Sequence, residues 1–151
     1  MFARSSGYAI QALTHLAGQP SGKLVGARDM ATKLEIPMPF LWKILRKLGQ
    51  KKLVRSFKGV RGGYQLARPA ETIYVSEILA AGRGVNQLGS CILGLGQCDA
   101  RKPCPLHTQW EDLRLQIEAR LNSATLADLA GKSRRKRAER RPAQAKLRPA
   151  G

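Results

Sequence analysis

Pro39-Phe40-Leu41-Trp42-Lys43-Ile44-Leu45-Arg46-Lys47-Leu48-Gly49 is followed within a few residues by Leu53-Val54-Arg55-Ser56-Phe57, Lys58-Gly59-Val60-Arg61-Gly62-Gly63 and Tyr64-Gln65-Leu66. Pro39 can open a helix, because its missing N–H is not needed in a first turn. Leu41, Ile44, Leu45 and Leu48 then recur at helical spacing as one apolar stripe, and Trp42, Lys43, Arg46 and Lys47 fall on the opposite face. Gly49 reads as the stop. The next two segments are short strands around a glycine-rich, basic turn, the pattern of a β-hairpin.

Just upstream, a short helix is expected from Ala27 to Leu34, and Ile36-Pro37-Met38-Pro39 interrupts it. The interruption follows from the steric exclusion of a residue preceding proline from the α region. Met38 and Phe40 are expected to pack this turn. Two helices with a tight connection and a basic hairpin describe a winged helix-turn-helix, in which the second helix enters the major groove and the hairpin reaches backbone or minor groove. The fold class is therefore mainly α with a small β-hairpin.

Outward from this centre, Ala9, Ile10, Leu13, Leu16 and Ala17 predict a helix over 5–17, ended by Gly18, Pro20, Ser21 and Gly22. His15 on that helix reads as a packed histidine and not as a ligand. A short helix is expected over Val75–Ala81, followed by a flexible segment marked by Gly82, Gly84, Gly89, Gly94 and Gly96. From Leu106 the pattern is helical again: Leu106, Trp110, Leu113, Ile117 and Leu121 form a seam suited to packing, and in a chain this small to dimerisation through Trp110, Leu113, Ile117 and Leu121. Thr125-Leu126-Ala127-Asp128 resembles a capping box for a last short helix ending at Gly131. The chain thus divides into a winged domain over 1–84, a cysteine loop over 85–105, a dimer helix and last helix over 106–131, and a basic tail over 132–151 expected to be disordered.

The 151 residues carry 27 Lys and Arg against 10 Asp and Glu, a net charge of +17. Its distribution is informative: residues 27–68 hold a net +9, residues 132–151 a net +8, and the remainder is neutral. Charge confined to one compact stretch and one tail points to a polyanion-binding face. Arg28, Pro39, Trp42, Lys43, Arg46 and Lys47 are the candidates for the groove and adjoining phosphates, with Lys58 and Arg61 acting from the hairpin. No apolar run is long enough to span a membrane and no secretory signal is evident, so a cytoplasmic protein is expected. Catalysis is not expected either: there is no paired carboxylate, no Ser/His/Asp set and no phosphate-binding glycine loop ahead of a helix, and no small-molecule substrate is implied.

Cys91, Cys98, Cys104 and His107 place three thiols and an imidazole within 17 residues, with Pro103 and Pro105 flanking the third cysteine. Spacing leaves three readings open. Thiolates select soft or borderline metals and iron–sulfur clusters, and wide spacing in a glycine-rich loop suits a cluster. Structural zinc usually draws on a close cysteine pair, which is missing here. Three unliganded thiols are the third reading.

The order of the pieces resembles the IscR/NsrR family of winged-helix iron–sulfur transcriptional regulators, nearest to its IscR-like branch, over roughly residues 1–131. The likeness rests on Gly7-Tyr8-Ala9-Ile10-x-Ala12-Leu13, on Phe40-Leu41, on Gly62-Gly63-Tyr64-Gln65-Leu66-Ala67-Arg68-Pro69, on the cysteine loop with Leu106-His107-x-x-Trp110, and on Leu121-Asn122-Ser123-Ala124-Thr125-Leu126-Ala127-Asp128-Leu129. It implies that Cys91, Cys98 and Cys104 are cluster ligands with His107 as the fourth, favouring 2Fe–2S and leaving 4Fe–4S open. It also implies a homodimer on a pseudo-palindromic double-stranded DNA operator, acting as a repressor. Other readings are a zinc or thiol-redox regulator without a cluster, or a basic iron–sulfur electron carrier. The sequence departs from the family at Pro37, Pro39, Trp42 and Lys43, where many members have two serines and a Glu or Gln. It departs also at Lys58 and Arg61 in the hairpin, in the six-residue first cysteine gap and in the basic tail.

Overall fold

Residues 27–50 fold as a helix-turn-helix. The computed structural model describes residues 4–82 and 88–131; the linker 83–87, with Gly84, and the basic tail 132–151 lie outside the described residues. The elements are α1 (Arg4–Ala17), α2 (Ala27–Leu34), α3 (Met38–Gln50), β1 (Val54–Phe57), β2 (Gly63–Leu66), a single 3-10 turn over Ala70–Thr72, α4 (Val75–Ala81) and α5 (His107–Ser123). A last helical stretch starts at residue 126 and is described to 131. The helix-rich fold with one hairpin is the expected class, and the bounds of α2 and α4 match the sequence reading.

The α2–α3 connection shows how the sequence turns the chain. Glu35 ends α2 in the left-handed region (φ 54°), and the Ile36 N–H donates to the Ala31 carbonyl, the six-to-one bond of a Schellman motif. Pro37 then caps α3, its carbonyl accepting from the N–H groups of Phe40 and Leu41. The helix opens one residue before Pro39, which occupies the first turn as its chemistry allows. At the far end α3 runs through Gly49 to Gln50: the left-handed residue is Lys52 (φ 56°), with the Leu53 N–H donating to the Leu48 carbonyl. Gly49 is therefore not the stop, because Leu48 and Leu53, both fully buried, hold the turn in place further along.

The core is built where the stripes meet. Leu13 of α1, Met30 of α2, Leu41, Leu45 and Leu48 of α3, Ile73 and Ile78 are each under 2% exposed. Truncating any one of these to alanine costs about 2–5 kcal/mol. Met38 packs partly against this core, whereas Phe40 is 57% exposed, with its ring tilted against that of Tyr8. The hairpin pairs β1 with β2 in antiparallel register from Val54↔Leu66 to Phe57↔Gly63, and Val25 adds a bridge to Tyr64 through two backbone hydrogen bonds. Gly63 is needed at that point, since a Cβ there would sit 2.8 Å from the Val25 carbonyl oxygen.

The chain after α5 returns to this core, so the winged unit is not closed by residue 84. Residues 124–126 pair with 73–75: the Val75 N–H donates to the Ala124 carbonyl, the Leu126 N–H to the Ile73 carbonyl, and Leu126 is fully buried among the winged-domain residues. The expected capping box forms, with the Asp128 carboxylate accepting from the Thr125 N–H and the Thr125 hydroxyl accepting from the Asp128 N–H.

Candidate nucleic-acid interface and cysteine pocket

On α3 the four stripe residues Leu41, Ile44, Leu45 and Leu48 are buried, which turns Trp42, Lys43 and Arg46 fully outward and leaves Lys47 half-buried. Trp42 is 57% exposed, an arrangement that core packing does not explain. Pro39 is exposed in the first turn of the same helix, Arg28 is exposed on α2, and Lys58 and Arg61 are exposed in the hairpin turn. An open groove of about 590 Å³ runs between α3 and the hairpin, lined among others by Trp42, Arg46, Arg55, Ser56 and Tyr64. Arg55 was missed by the sequence reading. Strand alternation carried the signal, since Val54 is buried and the next residue must face the other way.

The segment 88–106, expected to be flexible, is a hydrogen-bonded loop. Ser90 and Gln97 form an antiparallel bridge, the Cys91 N–H donates to the Gly96 carbonyl and the Cys98 N–H to the Gly89 carbonyl. Gly94 and Gly96 take left-handed conformations (φ 75° and 98°), so these glycines serve a specific turn. The Trp110 indole N–H donates to the Ser90 carbonyl at 3.0 Å, docking the loop on α5. Trp110 is 5% exposed within the single chain. Leu113 of the expected dimer seam is 52% exposed, and Ile117 and Leu121 are half-buried.

Cys91, Cys98, Cys104 and His107 all line one pocket of about 290 Å³. They stand in two facing pairs: Cys91 Sγ lies 3.6 Å from Cys104 Sγ, and Cys98 Sγ lies 3.2 Å from His107 Nδ1. Among the described residues no three His, Cys, Asp or Glu side chains converge as a chelate for a single ion. The two thiols of the first pair, Cys91 and Cys104, differ electrostatically. The N–H groups of Leu93 and Leu95 hold the Cys91 thiol below its ordinary value against the effect of burial. At Cys104 the Leu106 N–H favours the thiolate, but burial and the facing Cys91 and Cys98 push its pKa up. His107 Nε2 is buried with no hydrogen-bond partner. Three thiols and an imidazole around a roomy pocket fit a polynuclear centre better than one ion.

The family model described as Rrf2, iron-dependent transcriptional regulator, matches residues 2–132. The chain belongs to the Rrf2 family. The chain is 37% identical over 134 residues to a Haemophilus influenzae protein named as an HTH-type transcriptional regulator, covering 89% of each chain. It is 36% identical over 127 residues, 81% of each chain, to the HTH-type transcriptional regulator IscR of Cereibacter sphaeroides. The structure of CymR, the global cysteine regulator of B. subtilis, superposes with a TM-score of 0.75 at 20% identity, over 87% of this chain and 97% of that one, and shows the fold alone. The family match and the Haemophilus influenzae relative identify a helix-turn-helix transcriptional regulator and not an enzyme. No described helix is long and apolar enough to cross a membrane.

Proposed function

We propose that this Rrf2 protein is a cytoplasmic, homodimeric repressor whose affinity for DNA is set by an iron–sulfur cluster held by Cys91, Cys98, Cys104 and His107. The observation that carries the reading is the pairing of the four donors around one pocket. Two donors on each side match the demand of a two-iron cluster for two protein ligands per iron, so 2Fe–2S is favoured over 4Fe–4S. When bound, such a cluster supplies a one-electron redox centre sensitive to oxidants and to iron and sulfide supply.

The chain's own residues do the rest. Cys91 and Cys98 belong to the bridged loop and His107 to α5, so shared ligation ties loop and helix together, and its loss frees them. Residues 83–87 join the loop to Gly82 at the end of α4, whose carbonyl accepts from the hydroxyls of Ser5 and Ser6 on α1. Trp42, Lys43 and Arg46 face the major groove, with Pro39 in the first turn of the same helix. Arg28 and Lys47 take adjoining phosphates, and Lys58, Arg61 and Arg55 act from the hairpin. Leu113, Ile117 and Leu121 meet a second copy, setting two α3 helices on half-sites of a pseudo-palindrome about one helical turn (~34 Å) apart. The +8 tail adds sequence-independent affinity.

Anaerobic purification with absorbance spectroscopy and iron and sulfide analysis tests the cluster. Gel-shift titration of holo and apo protein on one operator tests the sensing. Visible charge-transfer bands with matched iron and sulfide, and unequal holo and apo affinities, are expected; a colourless zinc protein would overturn the metal assignment. A thiol-redox regulator without a cluster is the second reading, favoured by the 3.6 Å approach of Cys91 to Cys104.

A further inference from the structure

Resting on the iron–sulfur reading above, we propose that Glu111 is the positioning residue of this centre. Its carboxylate takes the Nε2–H of His107 and commits the ring to presenting Nδ1 to the cysteine pocket.

His107 turns Nδ1 toward the site, 3.2 Å from Cys98 Sγ. Its other nitrogen, Nε2, is buried and has no hydrogen-bond partner, and the ring is only 13% exposed, so it cannot turn that atom to water. The acidic group facing Nε2 is Glu111, one helical turn along α5, with Oε2 at 3.8 Å. The second carboxylate oxygen, Oε1, lies 3.8 Å from the guanidinium of Arg114, whose own Nε is also buried without a partner. Two buried N–H-bearing groups therefore flank one half-exposed carboxylate.

A neutral imidazole has one N–H and one lone pair, and only the nitrogen without the proton can bind a metal. An acceptor at Nε2 stabilises the tautomer that leaves the Nδ1 lone pair directed into the pocket. A carboxylate there also fixes the orientation of the ring. The separation of 3.8 Å exceeds a hydrogen bond by about 1 Å, a gap that the half-exposed Glu111 side chain can close by rotation. Arg114 steadies the carboxylate from the far side, so His107, Glu111 and Arg114 make a chain along one face of α5. A simple solvated ion pair would leave both partners in water, which the burial of Nε2 excludes.

The test uses the full chain, purified anaerobically as wild type, Glu111→Ala and Glu111→Gln. Iron and sulfide per chain, release of iron to a chelator, and pulsed EPR of the reduced cluster with 15N-labelled histidine are measured. Wild type is expected to show coupling to Nδ1. E111A is expected to load iron and sulfide but release iron about tenfold faster, with an altered nitrogen coupling. E111Q keeps an acceptor and should recover most of both properties, which a loss of bulk packing would not explain. If E111A matches wild type in coupling and release, or if wild-type coupling comes from Nε2, the role of Glu111 is overturned while the cluster reading stands. If wild type holds no iron and sulfide, the cluster reading fails and this role fails with it.

Discussion

The indole N–H of Trp110 donates to the carbonyl of Ser90 at 3.0 Å, joining residues 20 apart in sequence. One partner immediately precedes Cys91 and the other follows His107 by less than a turn, so this bond sets both halves of the cysteine pocket in one frame. Trp110→Phe keeps most of the buried ring and orphans the Ser90 carbonyl, an expected loss of about 1 kcal/mol. Trp110→Ala is expected to cost about 3–5 kcal/mol. Urea unfolding measures both, and a W110F midpoint equal to wild type would show that the bond does not hold the loop.

The contact of α1 with the end of α4 is equally close. A Cβ on Gly82 would lie 2.6 Å from Ser6 Cα, inside any tolerated contact, and Ser6 is fully buried. Gly82→Ala is expected to destabilise by about 1–3 kcal/mol through overpacking. Ser6→Ala should cost less, because the Ser5 hydroxyl still donates to the Gly82 carbonyl. Thermal unfolding of the two variants checks that order.

Phosphate contacts leave a signature in salt dependence. Arg46→Ala and Arg55→Ala, on opposite walls of the groove between α3 and the hairpin, should each lower the slope of log affinity against log salt by about one. Arg101→Ala, in the cysteine loop, should leave it unchanged. Fluorescence anisotropy over a salt series separates these outcomes.

Leu113 is half exposed in the single chain, so a charge there has little to disrupt within one protomer. Leu113→Asp is expected to convert dimer to monomer in sedimentation experiments while the protomer keeps its helical circular dichroism. A dimeric L113D would place the interface elsewhere.

Glu77 accepts from the Tyr74 N–H at the start of α4 and pairs with Arg68. Partial burial raises its pKa, but these two partners outweigh it and hold the carboxyl below the ordinary value of 4.5. A lowered folded-state pKa means stabilisation that is present above about pH 4.5 and is lost as pH falls through the folded value. Glu77→Gln should therefore be less stable than wild type at pH 7 by about 0.5 kcal/mol, the scale of an exposed pair. That difference should shrink as pH falls below 4.5, and denaturant titrations over a falling pH series test it.

Much of this fold is legible in short stretches of chain. The stripe Leu41, Ile44, Leu45 and Leu48 predicts its own burial and the outward turn of Lys43 and Arg46, because helical periodicity is a property of neighbours three and four residues apart. The bounds of α2 and α4, the hairpin and the Thr125–Asp128 cap are readable for the same reason. Cys91, Cys98, Cys104 and His107 are recognisable as a set from chemistry and from the order of the surrounding motifs.

Other features depend on partners distant in sequence. Helix α3 passes Gly49 because the Leu48–Leu53 turn is held by the core. The glycines of the cysteine loop read as flexibility until the Ser90–Gln97 bridge and the Trp110 bond show that they permit a particular turn. The pairing of Cys91 with Cys104 and of Cys98 with His107 spans 13 and 9 residues, and no local rule selects it over the alternatives. Spacing along the chain names the donors, but only the closing of the loop onto α5 determines which of them face each other.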